Sequence, residues 1–382
     1  MRHVILISTS YPSDHDGSEA AGSFVADFAE TLAAQLQVTV LAPGLNSERE
    51  QTPAQANLRI RRFQLPYYLP LSLLKPYNPL AWPEILRTLS AGRSALAQIV
   101  QQEHVDHIFA LWVLPSGYWA KQASVEYGIP YSTWALGSDI WSLGKVPFIK
   151  SILKRVLRAS QANFADGYLL KTDVEHLSGR SCTFLPSTRR LEIPDLPPLA
   201  SEPPYRLAFL GRWHLNKGID LLLDSLNLLD EEDWARIAEV RIAGGGPLKD
   251  KVHNSCAALQ SQNRPVLLQG YLDKPAAINW LGSADYVLIP SRVESIPVVF
   301  SDAMQCRRPV ISTPVGDLTR LLPHYQAGVL ADAVSPAAFA QAIKLGLNNK
   351  PEHFTHGLRQ GAEDFSLPAI AETLLRCIFP KQ

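Results

Sequence analysis

The strongest constraint in the sequence is a repeated alternation of short apolar runs with longer amphipathic segments. In the first half of the chain, the predicted strands are Val4–Ile7, Val38–Leu41, Ile108–Leu111, Tyr131–Trp134 and Tyr168–Leu170. Helical periodicity between them predicts helices at Phe24–Leu36, Glu84–Val100 and Phe148–Leu157. A chain that alternates strands and helices in this way forms a parallel sheet covered by helices on both faces.

The same alternation starts again after a proline-rich interruption. Six prolines fall between Pro186 and Pro204, in a segment without apolar periodicity, which is typical of a linker. The strands predicted beyond it are Arg206–Leu210, Val240–Ala243, Val266–Leu268, Tyr286–Ile289 and Val310–Ser312. The predicted architecture is therefore α/β, with two doubly wound, Rossmann-like domains facing each other across a cleft. Their predicted bounds are residues 1–186, a linker at 187–204, a second domain at 205–365, and a helix within 366–382 that packs back toward the first domain.

Composition and charge narrow the class of protein. The 382 residues are 46% hydrophobic and 19% charged, as expected for a globular chain with large apolar cores. Lys and Arg number 36 and Asp and Glu number 36, so the net charge of zero disfavours a general nucleic-acid-binding role. The four cysteines are widely separated and form no C-x-x-C pair, which disfavours a disulfide scaffold and a structural zinc site.

The sequence predicts no membrane-spanning helix. The least polar long window, residues 63–83, contains five prolines, whereas a spanning helix needs about 20 apolar residues with intact backbone hydrogen bonds. The chain begins with an apolar strand and lacks the pattern of a secretory signal. We therefore expect a cytoplasmic protein, peripheral at most at the inner face of the membrane.

One loop that follows a strand in the second half carries two cations. Arg212 comes directly after the strand at 206–210, and Lys217 opens the next helix. Ligands of doubly wound domains bind outside the carboxyl ends of the strands, and two cations on one loop can converge there on a diphosphate. The spacing alone also fits two solvated surface cations.

The segment that follows the strand at 286–289 combines an acid with a helix start. Glu294 precedes Pro297, a residue suited to a first helical turn, and Asp302 follows Glu294 by eight positions. The free amides of such a helix start favour an anion, while Glu294 suits sugar hydroxyls and Asp302 a ribose. Without the other motifs, the two acids also fit a favourable helix dipole interaction and a surface position.

Three weaker features allow more than one interpretation. The glycine run at 244–246 suits a tight strand-to-helix turn better than a phosphate loop. The Asp14-His15-Asp16 sequence matches a metal-binding D-x-D pair but is more typical of a solvated turn. A helix near 148–158 carries regularly spaced cations and an apolar face, which suits either an anionic membrane or an ordinary domain surface. Its cations are Lys150, Lys154, Arg155 and Arg158.

Taken in order, these motifs resemble those of the group 1, or family-four, retaining glycosyltransferases with the two-domain GT-B fold. GRWHLNKG resembles the G-R-x-x-x-x-K-G loop of that family, AGGGPL its G-x-G-P-L turn, and PSRVESIPVVFSDAMQCRRPVISTPVG its P-S-x-x-E-x-x-P segment with the E-x7-E motif. In the first half, AAGSFVADFAETLA resembles the first-helix signature of the family. ALWVLPSG and ALGSDI resemble its A-H-W-x-x-P-S-G and H-G-S-D stretches. The resemblance covers nearly the whole chain.

The resemblance assigns roles residue by residue. It implies that Arg212 and Lys217 bind the donor diphosphate and that Glu294 binds the transferred sugar. Ser295, Ile296 and Pro297 would line the sugar–phosphate site chiefly through their backbone. The residues that would approach other parts of the donor are Asp302 at the ribose, Asp273 near the base, and Gly22, where the N-terminal loop comes close.

The sequence departs from the family pattern at three positions. Asp302 replaces the second Glu of E-x7-E and is one methylene shorter. Leu136 and Leu111 replace histidines in the H-G-S-D and A-H-W stretches. Together with Asp139, these two leucines would belong to the acceptor and sugar pocket. An apolar residue at 136 favours a donor sugar without a 6-hydroxyl, because a hydroxyl against Leu would lack a partner.

The implied reaction transfers a sugar from a nucleotide diphosphate to an acceptor hydroxyl with retention of configuration, in polysaccharide or glycolipid synthesis. The implied partners are a nucleotide sugar donor and a lipid-linked or saccharide acceptor, with no metal or other cofactor required and no nucleic acid. Two alternatives are a catalytically inactive binding protein on the same fold and a sugar-nucleotide epimerase. An NAD-dependent dehydrogenase is disfavoured, because STSYPSD after the first strand lacks G-x-G-x-x-G.

Overall fold

The computed structural model describes residues 1–12, 19–44, 56–64 and 78–380. These residues form two compact units. The first comprises Met1–Arg190 together with Leu367–Gln382, and the second comprises Leu191–Ser366. Each unit is an α/β domain with its own parallel sheet, as the alternation of strands and helices predicts.

The described part of the first unit has a parallel sheet in the order β3-β2-β1-β4-β5-β6-β7. Its strands are β1 His3–Ile7, β2 Gln37–Gly44, β3 Leu58–Gln64, β4 His107–Leu111, β5 Tyr131–Ala135, β6 Ala162–Ala165 and β7 Cys182–Phe184. The helices between them are α1 Glu19–Ala33, α2 Trp82–Gln102, α3 Ser116–Tyr127, α4 Ser138–Trp141, α5 Pro147–Ala159 and α6 Tyr168–Ser178. The central strands β1 and β4 are buried along their whole length, because helices cover both faces of the sheet.

The described part of the second unit has a parallel sheet in the order β10-β9-β8-β11-β12-β13. Its strands are β8 Tyr205–Arg212, β9 Ile237–Gly245, β10 Val266–Gln269, β11 Tyr286–Ile289, β12 Val310–Ser312 and β13 Gly328–Leu330. Its helices are α7 Ile219–Leu226, α8 Glu231–Ala235, α9 Lys249–Ser261, α10 Lys274–Gly282, α11 Val298–Gln305, α12 Leu318–Tyr325, α13 Pro336–Asn348 and α14 Thr355–Asp364.

The strand order reverses between β8 and β11 in the second unit. Successive strands run outward from β8 through β9 to β10, and the chain then crosses back so that β11 pairs with the other side of β8. At such a reversal the loops after the two central strands diverge to opposite faces and leave a crevice at the carboxyl end of the sheet. The residues that follow β8 and β11 therefore occupy the position where a doubly wound domain binds its ligand.

The last helix, α15 (Leu367–Ile378), belongs to the first unit although it follows the whole second unit in sequence. Its residues Ile370 and Leu374 are buried in one apolar cluster with Phe109 and Leu111 of β4. Farther along, the Gln161 side-chain amide donates to the Ile378 carbonyl at 2.9 Å. The helix therefore completes one face of the first sheet.

The boundary between the two units lies near the start of the proline-rich segment that was predicted as a linker over 187–204. Its residues from Leu191 onward belong to the second unit. The Ala200 amide donates to Asp285 at 2.9 Å, and the Pro197 carbonyl accepts from Arg308 at 2.6 Å. Prolines lack an amide donor, but their carbonyls accept normally, so a segment without strand or helix can still be fixed to a domain.

One predicted strand is wrong, and four strands of the described residues were missed. Tyr168–Leu170 begins α6, because the apolar run YLL is the first turn of an amphipathic helix. The missed strands are β3, β6, β7 and β13. The first of these has Leu58 and Ile60 buried and Arg59 exposed, so it lacks the continuous apolar run that marks a strand buried on both faces.

Candidate functional site

An ion pair joins the loop after β8 to the loop after β11. The Lys217 ammonium contacts the Glu294 carboxylate, and Ser291 Oγ lies 3.4 Å from the same carboxylate oxygen. The Lys217 side chain is 38% exposed, and the Glu294 side chain is 13% exposed. The two residues that the motifs placed on separate loops are thus adjacent at the strand-order reversal, and the lysine keeps one side open to solvent.

A second pair and a backbone hydrogen bond hold the two loops in register. Arg292 binds Asp220 in a bidentate manner at 2.7 and 2.9 Å, and its amide donates to the Asn216 carbonyl at 2.8 Å. The Arg292 guanidinium also donates to the Leu215 carbonyl at 2.7 Å. The motifs did not single out Arg292 or Asp220. The only signal for them is an arginine inside PSRVES and an aspartate in the first turn of α7, and each is common for other reasons.

Glycine at 218 is required by the close approach of these loops. Its φ of +67° lies in the left-handed region, and a Cβ there would overlap the carbonyl oxygen of Pro290. Gly218 also caps the turn that presents Lys217 and directly precedes α7. The K-G dipeptide therefore sets the distance between the two loops as well as supplying the cation.

The segment from Ser295 to Pro297 leads into α11, with Pro297 at the N-cap. The Ser295 carbonyl accepts from the Asp317 amide at 3.0 Å, and Ser295 Oγ is buried without a hydrogen-bond partner in the described ranges. Ile296, between Ser295 and Pro297, is partly buried. The first amides of α11 lack partners within the helix and carry its positive dipole end, so this position favours an anion.

Arg212 and the glycine turn lie beside this site at the end of β8. Arg212 is exposed, and its guanidinium has no partner among the residues that the structure describes. Gly244 and Gly246 have φ values of +143° and +150°, and a Cβ at 246 would lie 2.7 Å from the Trp213 carbonyl oxygen. The glycine run is thus a tight turn packed against the end of β8.

The structure places the other predicted donor residues of the second unit in less open positions. Asp302 is 2% exposed within α11. Asp273 is exposed but caps α10, because its carboxylate accepts from the Ala276 amide at 2.8 Å. The motifs did not single out Tyr271, which is 74% exposed and whose ring a Cβ on Gly245 would approach at 2.5 Å. Tyr271 offers an exposed aromatic face next to the glycine turn.

The predicted residues of the first unit fall into two groups. Gly22 lies in α1 against the preceding loop, and a Cβ there would be 3.0 Å from Pro12. Leu111 is 0% exposed in β4, and Leu136 is half-buried against the same apolar cluster. Packing alone therefore accounts for the apolar character of both leucines, and Leu111 lines no open surface.

Asp139 is a buried carboxylate that organises the backbone around it. It is 1% exposed and accepts from the Val113 amide at 2.7 Å, the Ile140 amide at 3.1 Å and the Leu136 amide at 3.3 Å. Burial raises the pKa of Asp139 to about 6, and the backbone hydrogen bonds oppose that shift. Its position is that of a residue that fixes the loops after β4 and β5.

We expect Asp139→Ala to lower the free energy of unfolding of the first unit by about 2–4 kcal/mol, because the backbone amides of Val113, Leu136 and Ile140 lose their acceptor. The folded-state pKa lies above the ordinary value, so protonation favours the folded form, and the stability supplied by Asp139 falls as pH rises through 6. The difference between wild type and variant in thermal unfolding should therefore be larger at pH 5 than at pH 7.5. An equal difference at both pH values would contradict this role.

The basic helix α5 buries its apolar face in the first unit. Ile149, Leu153, Val156 and Leu157 are buried in that core, whereas Phe148 is 65% exposed. The cations Lys150, Lys154, Arg155 and Arg158 are exposed, and Arg158 Nε also donates to the Ser178 carbonyl at 2.9 Å. The helix therefore presents cations and one aromatic ring to solvent, whereas its apolar face is packed in the core of the first unit.

Two sequence features lie wholly or largely outside the described residues. The Asp14-His15-Asp16 sequence is one, and most of the apolar segment 63–83 is the other. The described ranges contain no group of three or more His, Cys, Asp or Glu side chains that could hold a metal ion. No helix within those ranges is long and apolar enough to cross a membrane.

Comparison with known proteins connects the second unit to a family. Residues 204–349 match the family model described as glycosyl transferases group 1. A D-inositol 3-phosphate glycosyltransferase of Jonesia denitrificans is 31% identical over 180 residues, which cover 44% of this chain and 41% of that protein. The match thus spans about two fifths of the length of this relative. The TuaC protein of Bacillus subtilis, whose name assigns it to teichuronic acid biosynthesis as a glycosyltransferase, is 25% identical over 378 residues, covering 89% of this chain and 88% of TuaC.

Solved structures match over the whole chain at low sequence identity. Anabaena Alr3699/HepE in complex with UDP superimposes with a TM-score of 0.69 at 15% identity, covering 98% of this chain and 99% of that one. The lipopolysaccharide outer core galactosyltransferase WaaB has a TM-score of 0.70 at 14% identity and full coverage of both chains. Such distant matches establish the fold. Residues 204–349 are therefore similar to the group 1 glycosyltransferases, and the chain has two α/β domains with the fold of the GT-B glycosyltransferases.

Proposed function

We propose that the protein is a retaining glycosyltransferase that moves a sugar from a nucleotide diphosphate donor to an acceptor hydroxyl. The observation that carries this proposal is the Lys217–Glu294 pair at the strand-order reversal of the second unit. A cation for the diphosphate and a carboxylate for the sugar hydroxyls then lie side by side, as a nucleotide sugar requires. The names of the relatives, in teichuronic acid and inositol phosphate glycosylation, support a role in making a cell-surface polysaccharide or a glycolipid.

The proposed roles of the residues in the second unit follow from where charge develops during the reaction. When the bond from the anomeric carbon to the diphosphate breaks, negative charge grows on the leaving oxygen. Lys217, Arg212 and the first amides of α11 would stabilise that charge. An ammonium has three donors, so Lys217 can hold Glu294 and contact a phosphate at the same time. Glu294 would accept from the sugar hydroxyls and fix the anomeric carbon.

Retention of configuration requires attack from the face that the diphosphate leaves. In the proposed reaction the acceptor oxygen bonds to the anomeric carbon on that face, and its proton passes to the departing diphosphate. This route needs no nucleophile from the protein and no metal ion. It does require the diphosphate to stay in place, which is the function assigned here to Arg212, Lys217 and the backbone of Ser295, Ile296 and Pro297.

The outer parts of the donor would contact residues around this centre. We assign the base to the glycine turn, where the exposed ring of Tyr271 offers a stacking surface and Asp273 lies two residues further on. The ribose is assigned to Asp302, which must gain access from its buried position when donor binds. Gly22 would allow the N-terminal loop to approach the donor, and the loops held by Asp139, with Leu136, would contribute to the acceptor side.

Direct assay of the purified chain tests the reaction. The protein is incubated with UDP-linked and GDP-linked sugars and a lipid extract as acceptor, with EDTA present, and the released nucleotide diphosphate is measured. We expect release with one donor class and a product of unchanged anomeric configuration by NMR coupling constants. A product of inverted configuration would overturn retention, and interconversion of the donor without diphosphate release would indicate an epimerase.

We further propose that α5 attaches the first unit peripherally to anionic membranes at the inner face of the membrane, near a lipid-linked acceptor. Since Ile149 and Leu153 are already buried, the attraction is mainly electrostatic, with Phe148 as the exposed ring at the surface. Each cation near an anionic surface contributes about 1 kcal/mol. Lys150, Lys154 and Arg155 together therefore account for about a hundredfold in affinity.

The test is sedimentation with vesicles that contain phosphatidylglycerol. Exchanging Lys150, Lys154 and Arg155 for glutamate should abolish binding, and 0.5 M salt should release the wild-type protein. The matched control is a triple exchange of Lys249, Lys251 and Lys274 in the second unit, which should leave binding unchanged. Wild-type binding that persists in high salt, or a loss in the control as large as in the α5 variant, would contradict the assignment.

A further inference from the structure

The second unit contains a cavity of about 580 Å³ that shares no residue with the candidate donor site. Three segments line it, residues 193–199, 305–308 and 352–359. The first belongs to the proline-rich stretch, the second follows α11, and the third leads into α14. Its volume lies in the range of small-molecule binding sites, so its chemical character decides what it could hold.

The charged side chains of this cavity are mainly arginines. Arg307, Arg308 and Arg359 line it together with one acid, Glu352. The side chains of Arg307 and Arg359 are exposed and have no hydrogen-bond or ion-pair partner among the described residues. A cluster of arginines without acidic partners produces a positive potential, and the planar guanidinium matches phosphate oxygens in a bidentate manner.

Arg308 is the buried member of the cluster. It is 3% exposed, its Nη2 donates to the Pro197 carbonyl at 2.6 Å, and its Nε has no hydrogen-bond partner within the described part of the chain. Burial lowers its pKa, with the nearby Asp285 opposing that shift. Asp285 pairs with Arg206, and Arg308 has no ion pair with an acid among the residues that the structure describes. The protein therefore buries a guanidinium beside a cavity without a direct counter-charge, a costly arrangement unless an anion completes it.

Arg307 directly follows the C-cap of α11 and has a left-handed backbone. Its φ of +53° is in the left-handed region, where glycine is relaxed and other residues are strained. The Arg307 side chain is exposed and has no hydrogen-bond or ion-pair partner among the residues that the structure describes. What the side chain does reach is the cavity.

Apolar groups form the opposite side of the cavity. Ile193, Pro194, Pro197 and Pro198 contribute from the proline-rich stretch, and Leu358 contributes from α14. A ligand that fills the space therefore needs an anionic group for the arginines and a compact body that packs on the proline side. From the cavity, the unpaired arginines and the buried Arg308, we propose that the second unit binds a small phosphomonoester here, separately from the nucleotide sugar.

Calorimetry on the full chain tests this site. The titrants are glucose 6-phosphate, glucose and inorganic phosphate, each added to the Lys217→Ala variant so that phosphate binding at the donor loops is weakened. We expect one site for glucose 6-phosphate and no binding of glucose. Inorganic phosphate should bind more weakly, because it has no sugar ring to pack against the proline side of the cavity. Equal affinities for glucose 6-phosphate and glucose would overturn phosphate recognition, and equal affinities for glucose 6-phosphate and inorganic phosphate would overturn the contribution of the proline side.

Variants that keep the fold locate the site. Arg307→Gly relieves the left-handed strain, so we expect a thermal midpoint at or above that of the parent with an affinity for glucose 6-phosphate lower by about tenfold. Arg359→Ala should lower the affinity similarly. Asn263→Gly is the matched control, since Asn263 has a φ of +59° and lies outside the cavity, and it should raise stability without changing affinity.

The remaining outcomes separate this site from the donor site. Glucose 6-phosphate should slow hydrogen exchange in peptides covering 303–310 and 352–360. Unchanged affinity in both arginine variants, or protection confined to residues 211–218 and 290–297, would overturn the proposal and assign the bound phosphate to the donor loops. Because the Lys217 effect on sugar transfer is measured independently, failure of this site leaves the proposed transferase activity unaffected.

Discussion

Replacing either Lys217 or Glu294 with alanine is expected to lower the rate of sugar transfer by about a hundredfold or more, since a preorganised contact to developing charge contributes about 3 kcal/mol. Both residues lie at the strand-order reversal, and their side chains contact each other. Removing Lys217 takes away a positive charge at the departing diphosphate. Removing Glu294 takes away the acceptor for the sugar hydroxyls and leaves Lys217 without its carboxylate.

The expected effect is catalytic and leaves the fold intact. The pair is partly solvated, so its loss should change the thermal midpoint little. Lys251→Ala is the matched control, because Lys251 pairs with Asp224 at 4.0 Å on the surface of the same unit. Transfer is measured as nucleotide diphosphate released at saturating donor and at low donor concentration, which separates kcat from kcat/KM. Rates within about threefold of wild type for both variants would refute this assignment of the site, since that change corresponds to less than 1 kcal/mol.

Gly218→Ala should be the most disruptive single change around the site. A Cβ at this position overlaps the Pro290 carbonyl oxygen, which belongs to the backbone and cannot rotate away. The loops after β8 and β11 must then separate, which displaces Lys217 from Glu294 and breaks the Arg292 amide contact to Asn216. We expect a loss of activity of tenfold or more and a loss of several kcal/mol in the stability of the second unit.

A matched substitution separates steric overlap from backbone strain. Gly128 has a φ of +73°, close to the +67° of Gly218, but a Cβ there meets no atom within 4 Å. Gly128→Ala should therefore cost only about 1–2 kcal/mol, the ordinary penalty for the left-handed region, and leave activity unchanged. Thermal unfolding and transfer assays on both variants provide the comparison. Equal losses in the two would mean that backbone strain, and not the contact with Pro290, determines the effect at 218.

Sequence periodicity predicted both sheets because their central strands are buried on both faces. Tyr286–Ile289 and Val310–Ser312 match the observed strands residue for residue. Periodicity failed to identify strands that are buried on one face only or that are only a few residues long. Gly328–Leu330 is only partly buried and was missed, and Tyr168–Leu170 was taken for a strand because three residues are too few to distinguish a strand from a first helical turn.

The motifs located Lys217 and Glu294, because glycine and proline beside them mark loops that follow strands. They could not show that the two side chains touch, since that depends on the pairing of β8 with β11 across a long sequence separation. Tyr271 and Arg292 carried no recognisable signal, because an exposed tyrosine and a loop arginine are common residues. Asp139 looked like a binding residue from its motif, whereas its burial and three amide donors show that it organises the loops.

The return of α15 to the first unit has a consequence for how the protein is made. The chain leaves the first unit at Arg190 and rejoins it at Leu367, so the whole second unit is synthesised in between. During that interval the apolar side of β4 and β5, including Phe109 and Trp134, lacks the helix that covers it with Ile370 and Leu374. A nascent first unit therefore exposes this apolar surface to the ribosome and to chaperones until residues 367–378 emerge. The second unit is continuous in sequence and can finish folding before the first.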